Sequence, residues 1–297
     1  MRTGDARKAA VSLVLACACA PVLAQRIEFT PEGDFSEAAV RRGVKATQAQ
    51  CDAVPNGLWA ADRDGGECLK YWSAGMEPLA ARRVVVFLHG DVWVGPGNTS
   101  KGYLNATNGT LQRFADEWAK RLEVPFVFIG RPGTHGSSGD HMQRRRPAES
   151  RLVSAALDVM KARYGIEEFV IAGQSGGGHV TASLLTLRGD IVCAVPTSAP
   201  SSPSVRWKMR GWKRDSTGYE DSYEPAQYLD KARMHTALRV FVVGDPQDTN
   251  VVWPSQTILA ERLKQVGVPT EVIEAQGTGP ELHGLPNSAR NVAGWCA

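Results

Sequence analysis

A doubly wound, mostly parallel α/β sheet is the fold that this 297-residue sequence predicts, and three observations predict it. Short apolar, β-branched runs recur along the chain, segments of helical spacing separate them, and the runs are nearly continuous in hydrophobicity rather than alternating. Strands covered by helices on both faces read in this way, whereas half-exposed strands alternate apolar and polar residues. Alternating strands and helices imply right-handed crossovers and place ligands beyond the carboxyl ends of the strands.

In order, the core strands are expected at residues 84–88, 125–129, 169–172, 191–195, 238–243 and 270–274. Helices are expected at 111–122, 147–164, 176–187 and 255–266. The second of these has Pro147 in its first turn, where a missing N–H is harmless, and Leu152, Ala155, Ala156, Val159 and Met160 on one face. Residues 26–80 read as irregular structure with one or two antiparallel strands, Leu69-Lys70-Tyr71-Trp72 being the best candidate. The 197–236 stretch is a small insertion between later core strands, carrying Trp207, Trp212, Tyr219 and Tyr223, and is the natural cap or specificity segment. The alternative is a plain surface excursion with one short helix around 225–232.

Residues 1–24 read as a signal peptide: Arg2, Arg7 and Lys8, an apolar run from Ala9 to Ala20, and a cleavage site after Ala24. The run is short for a membrane span, and a lipoprotein signal ending at Cys17 is the lesser alternative. The remaining 25–297 form a single domain, secreted or periplasmic. Cleavage lowers the formal charge from +3 to +1, because three basic residues leave with Asp5; nothing in that balance favours nucleic acid. The run Arg144-Arg145-Arg146 reads as a solvated approach to the helix that follows. Four cysteines remain, Cys51, Cys68, Cys193 and Cys296, an even number suited to an oxidising compartment. Of three possible pairings, Cys51 with Cys68 closes a local loop and Cys193 with Cys296 ties a core strand to the C-terminal helix. No C-x-x-C spacing suggests a metal, and no cofactor is called for. Asn98, Asn105 and Asn108 each begin an N-x-Ser/Thr sequon.

Chemistry concentrates at Gly173-Gln174-Ser175-Gly176-Gly177, which directly follows an apolar run. A serine between glycines at a strand-to-helix turn is the pattern of a nucleophile elbow, with its hydroxyl presented beside the first amides of the helix. A serine hydroxyl needs a base, and the base needs an orienting carboxylate. His283 follows the 270–274 strand, and both Asp245 and Asp248 follow the 238–243 strand. His179, one helical turn past Ser175, reads as a packing residue, and Asp245 has an alternative role capping the turn before Pro246.

Taken together, these motifs resemble the α/β-hydrolase superfamily over most of residues 84–285, particularly its dienelactone-hydrolase-like and prolyl-oligopeptidase-like members. The resemblance implies the order Ser175, Asp248, His283, since an aspartate followed by small and apolar residues matches Asp248-Thr249-Asn250-Val251 better than it matches Asp245. It also implies that His89-Gly90-Asp91 supplies one oxyanion-binding amide, from Asp91, and that Gly176 supplies the other, with His89 itself structural. The segment 129–140 resembles the same families and puts Arg131 or His135 at the pocket; Trp93 is a second substrate-binding candidate. The implied activity is a secreted carboxylic ester hydrolase acting on a small-molecule ester or acyl substrate. A prolyl-oligopeptidase-like peptidase and a non-catalytic binding protein that keeps the fold are the rivals.

Overall fold

The computed structural model describes residues 25–76, 82–93, 95, 97–285 and 287–297; the expected signal segment, with Cys17, lies outside them. The described chain opens with β1 (Ile27–Glu28), α1 (Glu37–Arg42) and β2 (Val44–Lys45), the two short strands pairing in parallel. Helix α2 (Gln48–Asp52) leads into the antiparallel ribbon of β3 (Gly57–Asp62) and β4 (Gly65–Ala74). The alternating region begins with β5 (Arg83–Leu88), α3 (Lys101–Leu104), α4 (Asn108–Leu122) and β6 (Phe126–Ile129). It continues with α5 (Pro147–Tyr164), β7 (Glu168–Gln174), α6 (Gly176–Leu184), β8 (Ile191–Thr197) and α7 (Pro203–Met209). Finally come β9 (Arg239–Gly244), α8 (Trp253–Gln265), β10 (Thr270–Glu274) and α9 (Ser288–Ala293).

Eight of these strands form one sheet in the order β10-β9-β8-β7-β5-β6-β4-β3. Every pairing from β10 to β6 is parallel; β4 pairs antiparallel with β6 and with β3, so β4 alone runs against the other seven strands. The sheet is therefore the mostly parallel, doubly wound one that the sequence predicts. From β5 the chain steps to one side for β6 and returns to the other side for β7, so the strand order reverses between neighbouring strand ends. Such a switch point leaves a crevice at the carboxyl edge of the sheet.

Strand β5 shows why its sequence is continuous in hydrophobicity. Val84, Val86 and Leu88 pack on one face with Val153, Leu157 and Met160 of α5, while Val85 and Phe87 pack on the other with Ala115 and Trp118 of α4. Alternate residues point to opposite faces, so a strand buried on both faces must be apolar throughout. Each buried Val or Leu contributes about 1.5–3 kcal/mol relative to exposure. Helix α4 starts earlier than the apolar spacing alone indicates. The Thr107 hydroxyl accepts from the Thr110 amide at 3.1 Å, and the Thr110 hydroxyl accepts from the Thr107 amide at 2.8 Å, which satisfies two donors at the helix start.

The insertion between β8 and β9 contains α7 and two single 3₁₀ turns, Pro225–Gln227 and Lys231–Arg233, rather than the one short helix around 225–232 of the surface-excursion alternative. The Asp230 carboxylate accepts from the Ala232 amide at 3.0 Å, a local cap that starts a new turn and interrupts a continuous helix. The basic run is a larger correction. Arg144 and Arg145 are buried, 3% and 1% exposed, because carboxylates within the fold face them; only Arg146 behaves as the solvated residue expected of all three.

Disulfides join Cys51 to Cys68 and Cys193 to Cys296, the second across 103 residues and between β8 and the chain end after α9. Removing the second bond in a Cys193→Ala/Cys296→Ala double variant is expected to cost about 2–5 kcal/mol. Thermal melting with and without reductant measures it, and a Tm equal to that of the wild type would refute a stabilising role. Among the described residues no helix is long and apolar enough to cross a membrane.

Candidate active site

Ser175 sits at the end of β7 with φ 53° and ψ −119°, a conformation that costs a non-glycine residue energy and is held by its surroundings. Its amide donates to the Thr197 carbonyl at 2.8 Å, and α6 begins at the next residue. The first turn of α6 crosses the end of β5 so closely that a Cβ on Gly177 would stand 2.1 Å from the Leu88 carbonyl oxygen. The glycine is thus required by the approach of backbone to backbone.

The loop after β10 brings His283 to this serine: its Nε2 lies 2.9 Å from Ser175 Oγ, and its Nδ1 lies 2.7 Å from Asp248 Oδ2. Asp248 is buried, and its Oδ1 accepts from the amides of Asn250 and Val251 at 2.8 and 2.9 Å. A carboxylate fixed by backbone donors holds the imidazole with Nδ1 protonated, which leaves Nε2 free to accept the serine proton. Asp245 points elsewhere, accepting from the amides of Gln247 and Gly277, each at 2.7 Å. His179 is wholly buried and donates from Nε2 to the Tyr223 carbonyl at 2.9 Å, so it anchors the insertion rather than facing the serine.

On the other side of Ser175 the 89–91 turn leaves β5, so close that a Cβ on Gly90 would lie 3.4 Å from Ser175 Cβ. His89 Nδ1 lies 2.6 Å from the Gly90 carbonyl and donates to it, so Nε2 accepts from the Arg131 amide at 3.2 Å. Burial first, and then the neighbouring His135 and Arg131, hold the His89 pKa well below its usual value, keeping the ring neutral. The turn and the first position of α6 thus flank the serine with backbone N–H groups that can face a developing oxyanion.

No protein-family model matches the chain, and no curated protein does. Solved structures do. An esterase from Pyrococcus furiosus superposes with a TM-score of 0.56 at 16% identity, covering 86% of this chain and 96% of its own. The fold is that of the α/β-hydrolases. An esterase from Butyrivibrio proteoclasticus with ferulic acid bound gives 0.56 at 14% identity over 80% of this chain and 95% of its own. The acylaminoacyl peptidase of Pyrococcus horikoshii gives 0.52 at 14% identity over 80% of this chain and 39% of its own.

Within the α/β-hydrolase fold, Ser175 and His283 open into a cavity of about 890 Å³, which His135 also lines. Arg131 and Trp93, the other residues expected to touch substrate, do not line it. Arg131 is wholly buried and spends its guanidinium on Glu149 at 2.6 and 2.8 Å, on Asp91 at 3.0 Å and on the His89 carbonyl at 3.1 Å. Trp93 lies beneath Arg144, whose guanidinium is 5.7 Å from its ring centroid. Arg131 thus braces the 89–91 turn against α5, and Trp93 packs against Arg144.

Sequence reasoning missed the group that shapes this wall. Asp91, Glu149 and Asp215 alternate with Arg131, Arg144 and Arg145 in a buried network of matched charge. Arg145 reaches Asp215 at 2.9 Å and also pairs with Asp91, so the network ties the insertion to the 89–91 turn. The signal was present in the density of arginines at 144–146, but nothing local in the sequence indicated which carboxylates would meet them. Of the insertion's aromatic residues, Trp212 is the one that lines the cavity, together with Arg206 and Arg210.

Proposed function

We propose that the protein is a serine hydrolase of carboxylic esters that works through an acyl-enzyme on Ser175. The observation that carries this reading is the unbroken hydrogen-bonded chain Ser175 Oγ, His283, Asp248 opening into a cavity. His283 Nε2 takes the proton as Oγ bonds to the ester carbonyl carbon, and the electron pair moves to the carbonyl oxygen. The amides of Asp91 and Gly176 receive that oxyanion. Collapse of the intermediate breaks the carbon–oxygen bond to the alcohol, to which His283 returns the proton. Water, deprotonated by the same imidazole, then attacks the acyl-enzyme; the acid is released and Ser175 recovers its proton. Asp248 stays ionised and orients the ring throughout.

The likeness to two esterases supports esters as the substrate class. The two disulfides support an oxidising location outside the cytoplasm. A fluorophosphonate probe is expected to label Ser175 and to leave a Ser175→Ala variant unlabelled, while p-nitrophenyl acyl esters are turned over and aminoacyl-nitroanilides are not. Folded wild type that takes no label would favour a binding protein, and comparable anilide cleavage would favour a peptidase.

A further inference from the structure

The cavity beside Ser175 carries an imbalance of charge that hydrolysis of a neutral ester does not need. Arg144 and Arg145 at its wall belong to the matched network, whose three guanidinium groups meet three carboxylates. Arg206 and Arg210, on and just after α7, line the same cavity and form no ion pair with any carboxylate of the described residues. Arg206 is 6% exposed yet donates only to neutral acceptors: the Asn250 carbonyl at 2.9 Å, Asn250 Oδ1 at 2.6 Å and Ser216 Oγ at 3.1 Å. Arg210 donates to the carbonyls of Thr249 and Asn250. Glu281, an acid of the same wall, is held by the Asn250 side-chain amide at 2.7 Å rather than by an arginine.

Both cations are held in place. Their guanidinium carbons lie 5.4 and 4.3 Å from the Trp212 ring centroid, so the indole of the insertion fixes the two groups at the cavity wall. Burying a guanidinium with no carboxylate in direct contact is costly, and an arriving anion lowers that cost. Burial and the Arg145 charge outweigh the more distant Asp215 and Asp91 and lower the Arg206 pKa to about 10, which still leaves it cationic at neutral pH. We infer that Arg206 and Arg210 form an anion subsite, and that the preferred substrates are esters whose acyl or alcohol part carries a second, carboxylate group. The inference rests on the ester-hydrolase reading above and adds the substrate class to it.

Monomethyl adipate and dimethyl adipate have the same chain length and differ by one negative charge at the far end. Wild type is expected to favour the monoester in kcat/KM by about 10-fold or more, the size of one charge-assisted hydrogen bond, and to lose that preference as salt rises. Arg210→Gln, at the half-exposed rim, is expected to erase the preference, whereas Arg262→Gln on the outer surface of α8 removes the same charge and keeps it. The inference is overturned if the diester is hydrolysed as well as the monoester, if Arg262→Gln changes the ratio as much as Arg210→Gln, or if labelled enzyme turns over neither ester. Failure of the wild type to take a fluorophosphonate at Ser175 is a different result, one that removes the hydrolase reading itself.

Discussion

Asp248→Asn is expected to lower ester turnover by about 10⁴-fold while the protein stays folded. The native carboxylate accepts from four donors: two backbone amides, the Gln256 side chain at 3.3 Å and His283 Nδ1 at 2.7 Å. An asparagine can keep Oδ1 on the amides of Asn250 and Val251, and it then turns its NH₂ toward His283. The imidazole must answer by accepting at Nδ1, which moves its proton to Nε2 and aims an N–H at Ser175 Oγ. A base already carrying its proton cannot take another, so the serine loses its activation although every atom stays near its place. Asp245→Asn is the matched control. It disturbs only the Gln247 and Gly277 amides, should cost about 1 kcal/mol of stability, and should change turnover by less than about 10-fold. Turnover and Tm of both variants decide the assignment: equal kinetic losses at the two positions would sink it.

The legibility of this chain in its sequence follows the range of the interactions involved. Strands β5 to β10 and helices α5 and α6 were readable because burial on two faces, or on one helical face, leaves a periodic trace in consecutive residues. The elbow was readable for the same reason, since Gly177 is demanded by contacts that form wherever a helix starts over a neighbouring strand. Arg131 shows the limit. A basic residue on the loop after β6 reads equally well as a ligand for substrate or as a brace for the turn, and only the positions of Asp91 and Glu149 choose between them. Arg144 and Arg145 were misread because their partners lie 53 and 54 residues away at Asp91 and 70 residues away at Asp215. Long charged side chains usually reach water, and nothing local announces that these are turned inward. The small parallel pair of β1 and β2 was missed because two residues carry no period.

Asp91→Asn tests whether that buried network serves the chemistry as well as the fold, and its effect on stability is expected to be about 3–5 kcal/mol. The side chain stands close behind the elbow: a Cβ on Gly176 would lie 1.9 Å from Asp91 Oδ1, so the carboxylate and the start of α6 define each other's position. Burial alone would raise the Asp91 pKa, but the guanidinium groups of Arg145, Arg131 and Arg144 outweigh it and hold the carboxyl well below the usual carboxylate range. A folded pKa below the unfolded one means stability that is fully present above the unfolded value of about 4 and is lost as pH falls through the folded value. The stability gap between wild type and Asp91→Asn, measured by urea unfolding, should therefore be constant near neutrality and narrow below about pH 4. The variant keeps the backbone N–H of residue 91, so a purely structural role would leave kcat of the folded fraction unchanged. Loss of the shared anion instead leaves Arg144 without a carboxylate and takes one partner each from Arg131 and Arg145, which lets the turn move, and a fall of about 100-fold, comparable to deleting one oxyanion donor, is expected at a temperature where the variant is folded. A lowered Tm with unaltered kcat would confine the network to stability, whereas a lowered kcat with little change in KM would make Asp91 a positioning residue for the oxyanion.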